Sequence, residues 1–596
     1  MKTLDTYFVS FENTKLPKSI IKKKIAGLEI VFDKLKIDKK EHIVIEDINF
    51  DAYRYRFIDN IAAFIAEKYY HENKAKLKNE YLEKNIGPDY IERLIKKEIL
   101  TKTSRIIRDL FLANIALKKN DLKEIFIYNE KLDFEFLYFV KKYLKFKKNI
   151  KFSKFNYYKN IFKKFFFKIY NFFKILFFLE KLLIKNLNNF KNIQEKYIAS
   201  IRIDEGLSFS GYPYSPAILL NSKSINNEDV IFYCEKKIEN LTEENRKEYH
   251  ILNSFDDFFK KISLKSYIKN IYIKNFILRI QMMKFFFRFN IFCSTIYNSF
   301  EIIIFWNIFY NIYKVKHNII LTVDCGVTSY YMHKKNNVET SFVYPHFTEQ
   351  LSSFLFKKLP TSNDWSYLKF DNIYTDKTSK IYLDTLINYK NFFEIGFLFH
   401  EYILSQDKQI IKKKIDFQFE SKIIFFYDAS VGAKGIMTIN EYKLFLNSID
   451  FVLKNTDFSV GLRMKNPQII NQNKDIKNLI LNFKKYKKFK LLNEFDNIEK
   501  YSLLNVPDLI VSCPVSTILF EALSLGKKLL IYNPLKRYTK LPNLFFNDRE
   551  IIKSNNHIEL LREIYNLLDK SEHKYTRETF FVPAEIGIIN LDKIFN

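Results

Sequence analysis

Glycine and proline are scarce in this sequence, 11 and 12 residues out of 596, and cysteine is scarcer still at 4. So little Gly and Pro excludes collagen-like and low-complexity architectures. Cys234, Cys293, Cys325 and Cys513 stand far apart with no CxxC among them, which excludes a zinc ribbon or a disulfide framework and fits a reducing cytosol. Acidic residues are also under-represented, 68 against 97 Lys and Arg, for a net charge of +29. Such a balance suits nucleic acid or an anionic membrane surface. Phe, Tyr, Ile, Asn and Lys are inflated together, however, as A+T-rich coding would make them. No RNP-like, zinc-finger or helix-turn-helix signature is present, so nucleic acid is not an expected partner. Residues 1–15 lack the apolar core of a signal peptide. The expected location is the cytoplasm, with the inner face of the cytoplasmic membrane as a peripheral station.

With 47% hydrophobic residues the chain has material for two or three domains with sizeable cores. One stretch organises the rest: DLIVSCPVSTILFEALSLGKKLLIYNP, residues 508–534. Leu509-Ile510-Val511 and Leu529-Leu530-Ile531-Tyr532 are buried-type strands. Between them Pro514 ends the first strand, Ser516 or Thr517 caps a helix, and Gly526 stops it. In this βαβ unit the polar turn lies at the helix N-terminus, where free N–H groups and the macrodipole favour a phosphate. The hydroxyls of Ser516 and Thr517 add donors. Glu521, one carboxylate in an apolar helix, is placed to accept from a ribose or sugar hydroxyl.

Along the rest of the chain, strands and helices alternate. Residues 42–46 and 124–128 read as strands, and 57–70 and 134–143 as helices, which argues for a parallel sheet. Residues 157–190 form an aromatic, Lys-studded helix with Glu180 as its one acid, too often interrupted by Lys to span a bilayer. It reads either as a helix lying on an anionic membrane surface or as a core helix with snorkelling lysines. Residues 289–313 carry one charge, Glu301, but their scattered Asn, Ser and Thr favour a buried helix over a spanning one. The strand at 317–323 leads into Asp324-Cys325-Gly326, a small-residue turn where α/β proteins place ligands. The strand from Glu339 ends at His346. Residues 421–427 open a further sheet, and its first loop, 428–435, carries Gly432 and Gly435. A strand at 458–462 ends in Arg463-Met464-Lys465-Asn466-Pro467.

The strand, Ser-Thr turn, Glu-bearing helix and Gly-Lys of residues 508–534 resemble the nucleotide-binding half of GT-B glycosyltransferases. The likeness is to bacterial surface-polysaccharide transferases and the related glycerophosphotransferases of teichoic acid synthesis. It implies an α/β fold of two Rossmann-like doubly wound domains facing a cleft, with the basic aromatic helix as an insertion. Residues 1–400 would be the acceptor-side domain and 415–580 the donor domain, with 581–596 a tail packing back on the former. The resemblance also implies site roles. Gly432 would lie near the donor phosphates, and Arg463 and Lys465 would neutralise them. His346 would be the general base toward the acceptor hydroxyl, with Asp324 its rival. Phe347 stands where the family often has Gly after the His, and Asn466 stands where the Lys-x-His-Pro pattern has His.

The implied activity is transfer of a sugar from a nucleotide-activated donor to a glycan or lipid-linked acceptor in surface polysaccharide (capsule or lipopolysaccharide) synthesis. No DxD motif sits in a strand-end loop and no His/Cys cluster is present, so neither a metal nor a cofactor is expected. Three alternatives stay open: a polyol-phosphate transferase, a non-catalytic scaffold of the same fold, and a membrane-surface assembly factor.

Overall fold

Short runs of Ile, Val, Phe and Tyr form the strands, and the central ones are buried along their whole length. The computed structural model describes residues 6–10, 16–28, 42–45, 58–129, 134–144, 149–153, 157–185, 195–203, 226–233, 250–252, 261–321, 326–344, 366–376, 387–396, 406–417, 421–429, 437–495, 502–513, 517–536 and 552–569, with a few single residues and pairs besides. Three large sheets result, and every strand pairing in them is parallel.

The first sheet comprises β1 (Thr6–Val9), β2 (Lys24–Leu28), β3 (Ile43–Ile45), β4 (Ile125–Tyr128) and β5 (Ile150–Phe152), in the order β3-β2-β1-β4-β5. The second comprises β6 (Ala199–Arg202), β7 (Val230–Tyr233), β8 (Ile251–Leu252), β9 (His317–Ile320), β10 (Glu339–Val343), β11 (Asn372–Thr375) and β12 (Asn391–Glu394). Its order is β12-β11-β10-β9-β6-β7-β8. The third comprises β13 (Ile423–Asp428), β14 (Ser459–Arg463), β15 (Phe489–Leu491), β16 (Leu509–Cys513), β17 (Leu529–Tyr532) and β18 (Ile552–Ser554), in the order β15-β14-β13-β16-β17-β18. In each sheet the chain winds outward from its first strand to the third, then returns to the other side of the first for the fourth. This is the doubly wound order, repeated three times.

The expected α/β class with doubly wound parallel sheets therefore holds. Residues 1–400, read from the sequence as one unit, carry two of the three sheets. The strands expected at 42–46 and 124–128 are β3 and β4 of the first, while TYFV and KIAGL are too short to stand out in the sequence.

The parallel ladder explains the apolar runs. Ile423, Phe425 and Tyr427 of β13 enter one core and Ile424 and Phe426 the other. The first of these cores also takes in Ala199, Ile201, Ile319 and Leu321, so one buried cluster joins the second and third sheets.

Ten helices matter here: α1 (Asp59–Leu77), α2 (Tyr90–Lys119), α3 (Tyr157–Lys185), α4 (Lys274–Arg288), α5 (Cys293–Ile312), α6 (Val327–Lys335), α7 (Lys408–Ile415), α8 (Ile439–Asn455), α9 (Thr517–Ser524) and α10 (His557–Asp569). As expected from its sequence, α5 is a buried helix, apolar all round, with Trp306 and Phe309 fully enclosed. Among the described residues no helix is long and apolar enough to cross a membrane. Near the C-terminus, Asn590 Nδ2 donates to the Glu394 carbonyl at the end of β12, 2.6 Å away.

The first sheet's helices are clasped to the second sheet just before α2. Gly87 is required there, because a Cβ would lie 2.1 Å from the Tyr331 ring. Asp89 then takes hydrogen bonds from Tyr331, from Lys369 Nζ at 2.6 Å and from Arg93 Nε at 2.7 Å. Burial pushes the Asp89 pKa up, but Arg93, Lys369 and Tyr331 together outweigh it and hold the carboxyl well below the usual range. A depressed carboxylate pKa stabilises the fold above the unfolded-state value near pH 4, and that contribution is lost as pH falls below it. Asp89→Asn is expected to cost about 1–3 kcal/mol at pH 7. In chemical denaturation the gap between variant and parent should close as the pH falls below about 4.

Candidate active site

In a doubly wound sheet the connections leaving the first and fourth strands part in opposite directions, and the crevice between their carboxyl ends is where ligands bind. In the third sheet these strands are β13 and β16. Tyr427 stands opposite both Arg463 of β14 and Ser512 of β16, and Asp428 opposite Cys513. Three adjacent strand ends thus bring an acid, a guanidinium and a turn-to-helix connection to one edge.

Asp428 ends β13 and is only 6% exposed. Its Oδ1 accepts the backbone N–H of Lys465 at 2.5 Å. Burial raises its pKa to about 7, and that N–H, the Tyr442 hydroxyl, Lys465 and Arg463 offset the rise only in part. Near neutral pH this carboxyl is poised between its two protonation states.

The end of β14 is braced. Arg463 Nη1 donates to the Leu492 carbonyl at 3.1 Å. Met464 N–H donates to Asn493 Oδ1, and Asn493 Nδ2 returns to the Met464 carbonyl, both at 2.8 Å. The brace holds Arg463 half-buried at the edge while the Lys465 side chain stays exposed.

On the other side α9 starts at Thr517. Ile518, Leu519 and Ala522 anchor it in the core between the second and third sheets. Gly526 stops it, as its sequence position predicts, in the left-handed region at φ +68°, with Lys527 N–H returning to the Ala522 carbonyl at 3.0 Å. Glu521 is 2% exposed. Arg463 and Glu521 act on the Tyr427 hydroxyl with opposite electrostatic sign, so all three groups share one neighbourhood.

Of the sequence-expected residues, Arg463, Lys465 and Glu521 converge at this edge. Thr517 begins α9, its side chain lying outside the described residues, as do Ser516 and Gly432 altogether. Asp324 and His346 also lie outside them. The strands leading toward these two, β9 and β10, are direct neighbours, with Ile320 opposite Phe342. Among the described residues no group of three or more His, Cys, Asp or Glu could hold a metal ion.

Two residues carried no role in the sequence reading. Asp428 is one, signalled by the single acid ending an otherwise apolar strand, IIFFYD. Arg202 is the other: it ends β6 at the equivalent switch point of the second sheet and is 4% exposed.

No protein-family model matches the sequence, and no curated protein matches it. Among solved structures, a UDP-GlcNAc 2-epimerase from Methanocaldococcus jannaschii is similar at 10% identity, covering 66% of this chain and 98% of its own, with a TM-score of 0.39. The wall teichoic acid polymerase TagF, in a CDPG-soaked form, is similar at 12% identity over 73% of this chain and 97% of its own, TM-score 0.39. A glycosyltransferase from Rickettsia africae is similar at 14% identity over 68% and 95%, TM-score 0.35.

Because the folded pKa of Asp428 lies above its unfolded value, the folded state binds the extra proton between about pH 4 and 7. This group's contribution to stability therefore falls across that window, by up to about 1.4 kcal/mol per pH unit, and is level above it. Asp428→Asn should remove that slope, so the variant's stability relative to the parent rises from pH 4 to 7 in urea titrations.

Proposed function

We propose that the chain is a GT-B-type glycosyltransferase that moves a sugar from a nucleotide-activated donor to a hydroxyl of a glycan or lipid-linked acceptor in bacterial surface polysaccharide synthesis. The observation that carries this reading is the switch point of the third sheet, where Asp428, Arg463 and the start of α9 meet at neighbouring strand ends. A nucleoside diphosphate matches that edge chemically. Its phosphates suit the N–H groups at the start of α9, the hydroxyls of Ser516 and Thr517, the Gly432 loop, and the positive charge of Arg463 and Lys465. Glu521, one turn into α9, suits a ribose or sugar hydroxyl.

The transfer then runs as a displacement at the anomeric carbon. The acceptor hydroxyl forms the new C–O bond as the bond to the diphosphate breaks, and the nucleoside diphosphate leaves with the bonding electron pair. His346, or Asp324 in its place, takes the acceptor proton. Stabilising the charge that builds on the diphosphate is the task of Arg463, Lys465 and the helix terminus.

Two experiments test this. A thermal-shift screen against CMP, CDP, UDP, GDP and their sugar conjugates should find one base that raises the melting temperature. Arg463→Gln should weaken that nucleotide's binding about tenfold, and Ser516→Ala with Thr517→Ala should abolish the shift; unchanged affinity in both variants would remove the phosphate site. His346→Ala should lower kcat by about 10²–10⁴ with donor affinity retained, whereas unchanged turnover would exclude it as the base.

A further inference from the structure

The helices α3 and α4 lie antiparallel against each other. The Phe172 ring of α3 lies tilted against that of Phe287 of α4, centroids 5.0 Å apart, and Leu176 O accepts from Arg279 Nη1 at 2.9 Å. Further along α3, Leu179 O accepts from Tyr267 Oη just before α4, also at 2.9 Å. Both helices rest on α5. Phe178 meets Phe300 at 6.0 Å, and Asn307 Nδ2 donates to Asn275 Oδ1 at 2.7 Å. Their other faces point away from α5, and these faces are apolar and exposed.

On α3 that face carries Phe162, Phe166, Tyr170, Phe173 and Phe177, at spacings of four, four, three and four. On α4 and the turn before it, Ile273, Ile277, Ile280 and Phe287 continue the surface, with the Lys284 position filling the remaining step. Phe166 is 64% exposed, Ile273 60% and Phe287 66%. Scattered single apolar residues on a surface need no explanation, but one contiguous face across two packed helices does.

Charge names the occupant. The α3 sequence holds seven lysines and one acid, Glu180, which is taken up by Arg279 and by Tyr272 Oη at 2.7 Å. Residues 264–288 hold four lysines, two arginines and no acid. Lys181, Lys269, Lys274, Lys284 and Arg288 are all exposed. An aromatic and aliphatic face set among cations, with no free anion of its own, matches a lipid surface with negative headgroups: rings enter the acyl boundary and the amines meet phosphates.

We propose that the α3–α4 pair is an interfacial docking surface for an anionic bilayer, on which the protein lies without crossing it. The inference stands on these two helices and not on the donor site.

Co-sedimentation of the full chain with phosphatidylcholine vesicles, with and without about one-third phosphatidylglycerol, tests it. The parent should bind the anionic vesicles at least about tenfold better, less so at high salt. Phe166→Ser with Ile277→Ser, and separately Lys269→Glu with Lys284→Glu, should each lower binding about tenfold. Because all four residues are exposed, circular dichroism and melting temperature should be unchanged in both variants. Three results would overturn the proposal: no preference of the parent for anionic vesicles; full binding by the Phe166→Ser/Ile277→Ser variant; or a stable dimer of the parent that this variant converts to monomer, which would assign the face to a second copy. A failed nucleotide screen would leave the vesicle result unaffected.

Discussion

The pairing of β13 with parallel neighbours on both sides is the constraint from which the rest follows. A central parallel strand has no solvent face, so its residues must be apolar, and its neighbours must run the same way and end at the same edge. Polarity can enter only where the strand stops. Asp428, Arg463 and Cys513 stop three adjacent strands together, so the third sheet's chemistry collects at one edge without any long-range device to gather it. Burial at that edge is what raises the Asp428 pKa.

The same winding occurs in the first and second sheets, and apolar cores tie the three together. A common apolar core joins the second and third sheets. Another apolar core joins the first and second sheets, with Phe8, Ile25 and Ile127 in one cluster with Ile231, Ile320 and Phe342, and a polar clasp around Asp89 adds to it, where Gly87 lets the Tyr331 ring approach. α5 is buried along most of its length, and α3 and α4 cover part of it. The cost of covering it is transferred outward, to the aromatic face those two helices present.

Much of the third sheet was legible because its strands are buried on both faces and its helices are amphipathic. Residues 508–534 announced β16, α9, the Gly526 stop and β17 in order. The helix at 134–143 was read to the residue. In the first sheet the strands at 42–46 and 124–128 are legible and correspond to β3 and β4, whereas β1 and β2 are four and five residues long and stand in segments without clear period. The 30-residue α2 escaped for a related reason: KKEILTKTSRIIRD mixes charge and β-branched residues closely enough to blur its helical stripe. Arg463, Lys465 and Glu521 stand out in the sequence as polar residues in conspicuous positions. The burial of Asp428, and hence its pKa, depends on Tyr442 and on the backbone at Lys465, contacts made only when the sheet closes. The membrane-or-core ambiguity of residues 157–190 had the same origin. Sequence gave the stripe, but only packing shows that α3 buries one face on α5 and leaves the other open.

The central claim is that the switch point of the third sheet holds a nucleoside diphosphate, and a crystal structure of the protein soaked with the nucleotide it binds tests it most directly. Diphosphate density between Arg463 and the start of α9, with the ribose near Glu521, is the expected result. Density for the same nucleotide at the edge of the second sheet, beside Arg202 and away from β13 and β16, would contradict the account.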